Sequence, residues 1–338
     1  MTARAEETRR RLAPALAALN GARVLVTGGS GFIGTNLIEA LATHANVLNL
    51  DVAPPRAAHQ ARHWHETDIC DRRRLHDEVA AFRPDIVFHA AARTDLAGKR
   101  IEDYASNIAG TDSLLDALAA TGFSGSAVFF SSMLTSRPGM TTLRLGEGYP
   151  DTRYGESKLR MEEHVRAAGP GYRHYVVRPT SIWGPWFGTP YRDFFRMVLG
   201  RRYFNPGPRT ATKTFGFVSN TVYQVLTLVA SRAFDATPIY LGDATPVSVA
   251  AWANEIAQLA GVPAPPTLPE AVASLAARIG DLAERAGIRT PLTSRRLINM
   301  RRDNIVELSP IMALAPSPPF TRAEGIRMTL EWMGAGAR

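Results

Sequence analysis

The chain has 338 residues, 45% of them hydrophobic and 21% charged, with a formal net charge of +8; this is the balance of a globular protein, not of a disordered one. At this length the expected organisation is a large α/β domain with a smaller second lobe, and hence a cleft. The single cysteine, Cys70, excludes an internal disulfide, offers no metal-ligand spacing and suits a reducing cytoplasm, while basic residues scattered outside short runs at 71–75, 200–202 and 294–302, without interleaved aromatics, point away from nucleic acid and toward a solvated basic surface with a local anion site.

The first 20 residues carry arginines but no apolar signal core, and Glu6 and Glu7 argue against an organelle-targeting peptide. They read as an amphipathic helix lying on the body of the protein. No window approaches the ~18 to 20 apolar residues of a membrane span, so a soluble, cytoplasmic protein with no membrane partner is expected. From residue 23, short β-branched runs alternate with helical stretches: strands at 23–28, 46–51, 85–92 and 126–132, helices at 31–43, 71–82 and about 101–120. That alternation predicts a doubly wound parallel sheet. After "YVVRP" (175–179) prolines and glycines become dense, which predicts a second lobe interleaved with late sheet strands; "GVPAPPTLPE" (261–270) is a loop by its prolines.

"LVTGGSGFIG" sets Gly28, Gly31 and Gly34 between a strand and a helix, with Phe32 and Ile33 opening the helix. Glycine there allows a tight turn and lets a pyrophosphate approach the amides at the helix's positive end. Asp51 ends the second strand, where a carboxylate accepts from ribose hydroxyls and repels a 2′-phosphate, favouring NAD over NADP; Arg56 nearby weakens that preference. Asp68 and Ile69, at the next strand end, are candidates for the adenine pocket, the alternative being an acidic helix start at Asp71.

Tyr154 and Lys158, in "RYGESKLRM", are four residues apart and share one helical face. A free phenol has a pKa of about 10. A neighbouring ammonium and a positive nicotinamide ring favour the phenolate, and lowering the phenol by roughly three units corresponds to ~4 kcal/mol. The expectation is an acid/base pair whose lysine also holds the nicotinamide ribose. The same spacing also occurs on solvated helix faces.

The motifs "TGGSGFIG", "LD" (50–51), "DI" (68–69), "HAAA" (89–92), "NIAGT" (107–111), "FSS" (130–132), "YGESK" (154–158) and "RPTSIWGP" (178–185) together resemble the extended short-chain dehydrogenase/reductase group, the NAD-dependent epimerase/dehydratase family. The resemblance covers nearly all of the chain after residue 22. "FGFVSN" (215–220) and "RAEGIRMTLEWM" (322–333) look like segments of sugar-nucleotide enzymes of polysaccharide biosynthesis. What it implies is a helical extension at 1–22, a Rossmann NAD domain at 23–180 and a mainly substrate-binding lobe at 181–338.

The resemblance also implies roles. Ala90, Ala91 and Ala92 line the cofactor near its ribose, or simply pack helix against sheet; Asn107 supports the central strands, and Pro179 lies by the cofactor. A hydroxyl ending the fifth strand polarises the substrate oxygen. Ser132 is the choice for it and Ser131 stays open, because Ser136 stands where a tyrosine is common. Thr94, Ser181, Lys213 and Arg295 (or Arg296) are the expected substrate contacts, the cations meeting a nucleotide-sugar diphosphate. The implied chemistry is epimerisation through a transient ketone, without a metal. Met133 and Leu134 stand where dehydratases carry an acid pair, which disfavours dehydration. A 4-keto sugar reductase, a hydroxysteroid-type dehydrogenase and an NAD-sensing module are the alternatives. A homodimer through the helices at 101–120 and 152–168 is also implied.

Overall fold

A computed structural model describes residues 3–231, 238–288, 290 and 292–335, without the side chains of residues 3–5 and 295. The chain forms two compact units. The first comprises residues 1–182, 216–242 and 306–320, and the second 183–215, 243–305 and 321–338.

The first unit is built on a seven-stranded parallel sheet. Its strands are β1 (Arg23–Thr27), β2 (Asn46–Asp51), β3 (Trp64–Glu66), β4 (Ile86–His89), β5 (Ser126–Phe130), β6 (Arg173–Pro179) and the edge strand Ile239–Leu241. From that edge the order runs through β6, β5, β4, β1 and β2 to β3, so the order reverses beside β1. Ligands of such sheets bind outside the strands' carboxyl ends near this reversal.

Both sheet faces are covered, which explains why the strands read as continuous apolar runs. Val24, Val26, Phe88, Val128 and Val177 point into one core with α1 (Ala3–Leu16), α2 (Phe32–Leu41), α7 (Val218–Ser231) and α11 (Ser309–Leu314). Leu25, Val87, Ala127, Phe129 and Val176 point into the other, against α3 (Arg72–Phe82), α4 (Ala105–Ala120) and α5 (Arg153–Ala168). Adjacent residues go to opposite cores because side chains alternate along a strand. Helix α1 is part of this unit: Leu12 and Leu16 are fully buried, and Arg9 donates to the Glu39 carbonyl at 2.9 Å and pairs with its carboxylate at 3.1 Å.

The second unit holds α6 (Tyr191–Leu199), α8 (Val249–Leu259), α9 (Glu270–Arg285), α10 (Ser294–Arg301) and α12 (Arg322–Trp332), with Thr212–Lys213 pairing antiparallel to Val247–Ser248. Its aromatic centre stacks Trp252 on Phe194 at 4.9 Å and sets Trp252 4.4 Å from Phe215. No helix among the described residues is long and apolar enough to cross a membrane, and no group of three or more His, Cys, Asp or Glu among them could hold a metal ion.

Candidate active site

The glycine turn joins β1 to α2. Gly28 has φ of 74°, and a Cβ built on it would lie 2.4 Å from the Ala91 amide nitrogen, so only glycine fits. A Cβ on Gly34 would meet the Gly28 carbonyl at 2.3 Å, which seats α2 on the turn. Gly31 differs: the single protein atom near its built Cβ is the Gly28 carbonyl at 3.0 Å, so its outer side is open. Gly31 is also the N-cap of α2 and supplies no side-chain cap. Phe32 and Ile33, both half-buried, form the first turn, whose amides have no partner within the helix and carry its positive end. This open cradle fits a dinucleotide diphosphate.

At the end of β2 the Asp51 carboxylate accepts from the Ser30 amide and the Ala53 amide, each at 3.0 Å. Arg56 donates to the Ser30 carbonyl at 3.0 Å, so both groups are fixed at the lip of the turn. Asp68 is exposed and accepts from the Cys70 amide at 2.9 Å. Ile69 turns inward, where its Cδ1 would lie 2.2 Å from a Cβ on Gly110 of α4. Its side chain is core.

After β4, Ala90 donates its amide to the Thr27 carbonyl at 3.0 Å, and Ala90, Ala91 and Ala92 are half-buried. Asn107 is fully engaged: it donates to the Arg93 carbonyl at 3.0 Å and to Ser157 Oγ at 2.9 Å, and accepts from the Arg93 amide at 2.7 Å. It ties the post-β4 segment to α5. His89, in register with Thr27 and Phe129, is buried between Thr27 Oγ1 at 2.7 Å and Thr111 Oγ1 at 2.9 Å, and burial pushes its pKa down to about 3.

Ser132, Tyr154 and Lys158 come together where β5 meets α5. Thr152 caps α5 by accepting from the Gly155 amide at 3.0 Å. A Cβ on Gly155 would sit 2.0 Å from the Leu134 carbonyl, so the missing side chain lets the start of α5 press onto the turn after β5. That contact sets the Tyr154 hydroxyl beside Ser132, whose Oγ accepts from the Leu134 amide at 3.1 Å. Lys158 Nζ donates to the Phe130 carbonyl at 2.8 Å. Tyr154 is 9% exposed and Lys158 3%.

The electrostatics differ from the sequence expectation of a phenol already acidified by its lysine. Burial pushes Tyr154 up to about 12, against a smaller lowering by the Ser132 hydrogen bond. Burial also pushes Lys158 down to about 8, against the attraction of Glu162. Taking a charge out of water penalises it on either group.

Ser131 points elsewhere. Its Oγ donates to the Glu162 carboxylate, which is locked to Arg178 at 2.6 Å with both side chains fully buried. Arg178 also donates to the carbonyls of Thr142 at 2.5 Å and Glu147 at 3.0 Å, pinning the segment between β5 and α5. Sequence reading missed Gly155, Glu162 and Arg178. The glycine beside Tyr154 and the Glu four residues past Lys158 were the available signals.

Of the other expected residues, Thr94 is exposed, Pro179 is buried in register with Leu241, and Ser181 is 5% exposed. In the second unit Lys213 is half-buried, its ammonium has no hydrogen bond or ion pair among the described residues, and burial pushes it down from the ordinary lysine pKa. The Arg295 side chain lies outside the described residues. Arg296 is occupied by the Thr290 carbonyl and, at 4.0 Å, by Glu284.

The sequence profile of the NAD dependent epimerase/dehydratase family matches residues 24–233. The chain is 30% identical over 264 residues to the 3 beta-hydroxysteroid dehydrogenase/Delta 5-->4-isomerase of Mycobacterium tuberculosis, covering 71% of this chain and 70% of that protein. It is 28% identical over 211 residues to the N-acetyl-alpha-D-glucosaminyl-diphospho-ditrans,octacis-undecaprenol 4-epimerase of Escherichia coli O157:H7, covering 59% of this chain and 60% of that one. Among solved structures, the UDP-N-acetylglucosamine 4-epimerase of Methanobrevibacter ruminantium M1 shares the fold at a TM-score of 0.72 and 18% identity, over 93% of this chain and 99% of its own. With its profile match spanning more than half of the residues, the chain belongs to the NAD dependent epimerase/dehydratase family.

Proposed function

We propose that the protein is an NAD-dependent sugar-nucleotide epimerase that oxidises one sugar hydroxyl to a ketone and reduces it again from the other face. The observation that carries this reading is the buried cluster of Ser132, Tyr154 and Lys158, followed in the chain by Met133 and Leu134, which cannot move protons. A cluster with one proton-transfer group suits reversible oxidation of one carbinol, not elimination of water.

In this reading the turn of Gly28, Gly31 and Gly34 and the first amides of α2 hold the dinucleotide diphosphate, and Asp51 takes the adenosine ribose. When bound, NAD supplies the two-electron acceptor and donor for the sugar carbon. Lys158 holds the nicotinamide ribose and keeps a positive charge beside Tyr154. As the phenolate, which the adjacent Lys158 ammonium would favour, Tyr154 takes the hydroxyl proton on oxidation and returns it on reduction, so no proton or electron is lost over the cycle. Ser132 donates to the reacting oxygen as charge grows on it. The raised phenol pKa suits the return step, in which a neutral Tyr154 must donate. Lys213, a half-buried cation without a counter-ion among the described residues, supports an anionic substrate such as a nucleoside-diphosphate sugar.

The mycobacterial relative favours a second reading, a dehydrogenase of an apolar alcohol. Incubating the protein with NAD and UDP-, GDP-, CDP- and dTDP-sugars, and separately with a 3β-hydroxysteroid, separates the two. Epimeric sugar by NMR without accumulation of NADH supports the proposal. Stoichiometric NADH from the steroid, or stoichiometric consumption of NAD(P)H by a 4-keto sugar, overturns it.

A further inference from the structure

Helix α9 carries two stripes. Ala273, Ala277 and Gly280 are buried in a small core with Leu292 and Leu297. Val272, Leu275, Ile279 and Leu282 are 49%, 60%, 58% and 63% exposed. At about 100° per residue the second set forms one continuous strip roughly opposite the first. The helix cannot roll to bury it: a Cβ on Gly280 would already lie 1.8 Å from the Leu292 carbonyl, so only the small-residue stripe fits inward.

The charges of α9 are sorted as well. All three of its carboxylates are occupied: Glu270 by Arg301 at 2.9 Å, Asp281 by the Ser294 amide at 2.9 Å and Glu284 by Arg296 at 4.0 Å. Arg278 and Arg285 lie at the border of the apolar strip and are exposed, and their guanidinium groups make no salt bridge or hydrogen bond among the described residues, although Arg285 lies near enough to Asp281 to help hold its carboxyl below the usual range. We propose that this face of α9 docks onto an anionic lipid bilayer, its aliphatic strip entering the headgroup boundary and its two arginines meeting lipid phosphates. An apolar strip edged by exposed basic side chains is the pattern of helices that lie in, and do not span, a membrane interface.

A second copy of the chain fits less well. Four aliphatic side chains expose on the order of 400 Å², the size of a large patch on an ordinary monomer and half of the ~800 Å² per partner of a standard interface. Two-fold antiparallel pairing centred between Leu275 and Ile279 would also set Arg278 beside its own copy. The docking stands apart from the identity of the substrate.

The test is flotation of the full chain with vesicles of mixed phosphatidylcholine and phosphatidylglycerol, against pure phosphatidylcholine. The wild type should float with the anionic vesicles and be released by salt. Leu275→Ser/Leu282→Ser and Arg278→Glu/Arg285→Glu should each lower binding by about tenfold or more with unchanged melting temperature, and Ile305→Ser, at an exposed isoleucine outside the strip, should not. No flotation, flotation indifferent to these variants, or a dimer in light scattering that Leu275→Ser/Leu282→Ser dissolves would each overturn the proposal.

Discussion

Arg178 and Glu162 form an ion pair at 2.6 Å with neither side chain exposed, and through it the end of β6, the middle of α5 and the 142–147 segment are held as one piece. Removing one partner leaves a buried charge uncompensated, which costs about 3–5 kcal/mol. Arg178→Met and Glu162→Met should each show such a loss in urea unfolding, and the double variant should lose less than the sum. A cost below about 1 kcal/mol for either single variant would mean that the pair is not what holds the segment.

The two serines after β5 should separate in their effects. Ser132→Ala should lower kcat by ~10²–10³ and Tyr154→Phe by ~10²–10⁴, with little change in melting temperature. Ser131→Ala should instead cost about 1–3 kcal/mol of stability by taking a donor from buried Glu162. Turnover and melting measured on the same preparations check all three, and a catalytic loss confined to Ser131→Ala would reverse the assignment.

His89 makes stability depend on acid. Its folded pKa, about 3, lies below its ordinary value of 6.5, so between those limits the unfolded chain binds a proton that the folded chain refuses. Stability should therefore fall as pH drops through that window, at up to ~1.36 kcal/mol per unit. His89→Asn should flatten this slope in denaturant titrations across the acid range.

Lys158 carries a desolvation cost that the proposed function requires. With its pKa pushed down to about 8, replacing the ammonium removes a buried charge. Lys158→Met should melt higher, by roughly 0.5–2 kcal/mol of stability, while turnover drops by more than about tenfold. A variant that is both less stable and fully active would contradict the dry pocket.

Gly31→Ala separates folding from cofactor affinity. Its backbone φ is −73° and its Cβ would crowd only the Gly28 carbonyl at 3.0 Å, so the variant should fold at a small cost. The methyl would fill the space proposed for the diphosphate. NAD binding by calorimetry should weaken by at least about tenfold, whereas Gly28→Ala should fail to fold.

Much of this was legible in the sequence because it depends on local backbone geometry. Apolar runs such as "RVLVTG" announce strands buried on both faces, Gly28 and Gly34 announce a turn too tight for a side chain, and Tyr154 and Lys158 share a face by helical period alone. What remained hidden depends on groups far apart in the chain. That Ser131 is taken up by Glu162 follows from the buried Glu162–Arg178 pair, and the directions of the Tyr154 and Lys158 shifts follow from their burial. Helix α9 shows the division most clearly: its sequence contains both an aliphatic and a small-residue stripe, and hydrophobicity alone would bury the aliphatic one. Only the approach of the Leu292 carbonyl to Gly280 decides the reverse, because which stripe turns inward is set by the shape of the partner surface and not by the period of the helix.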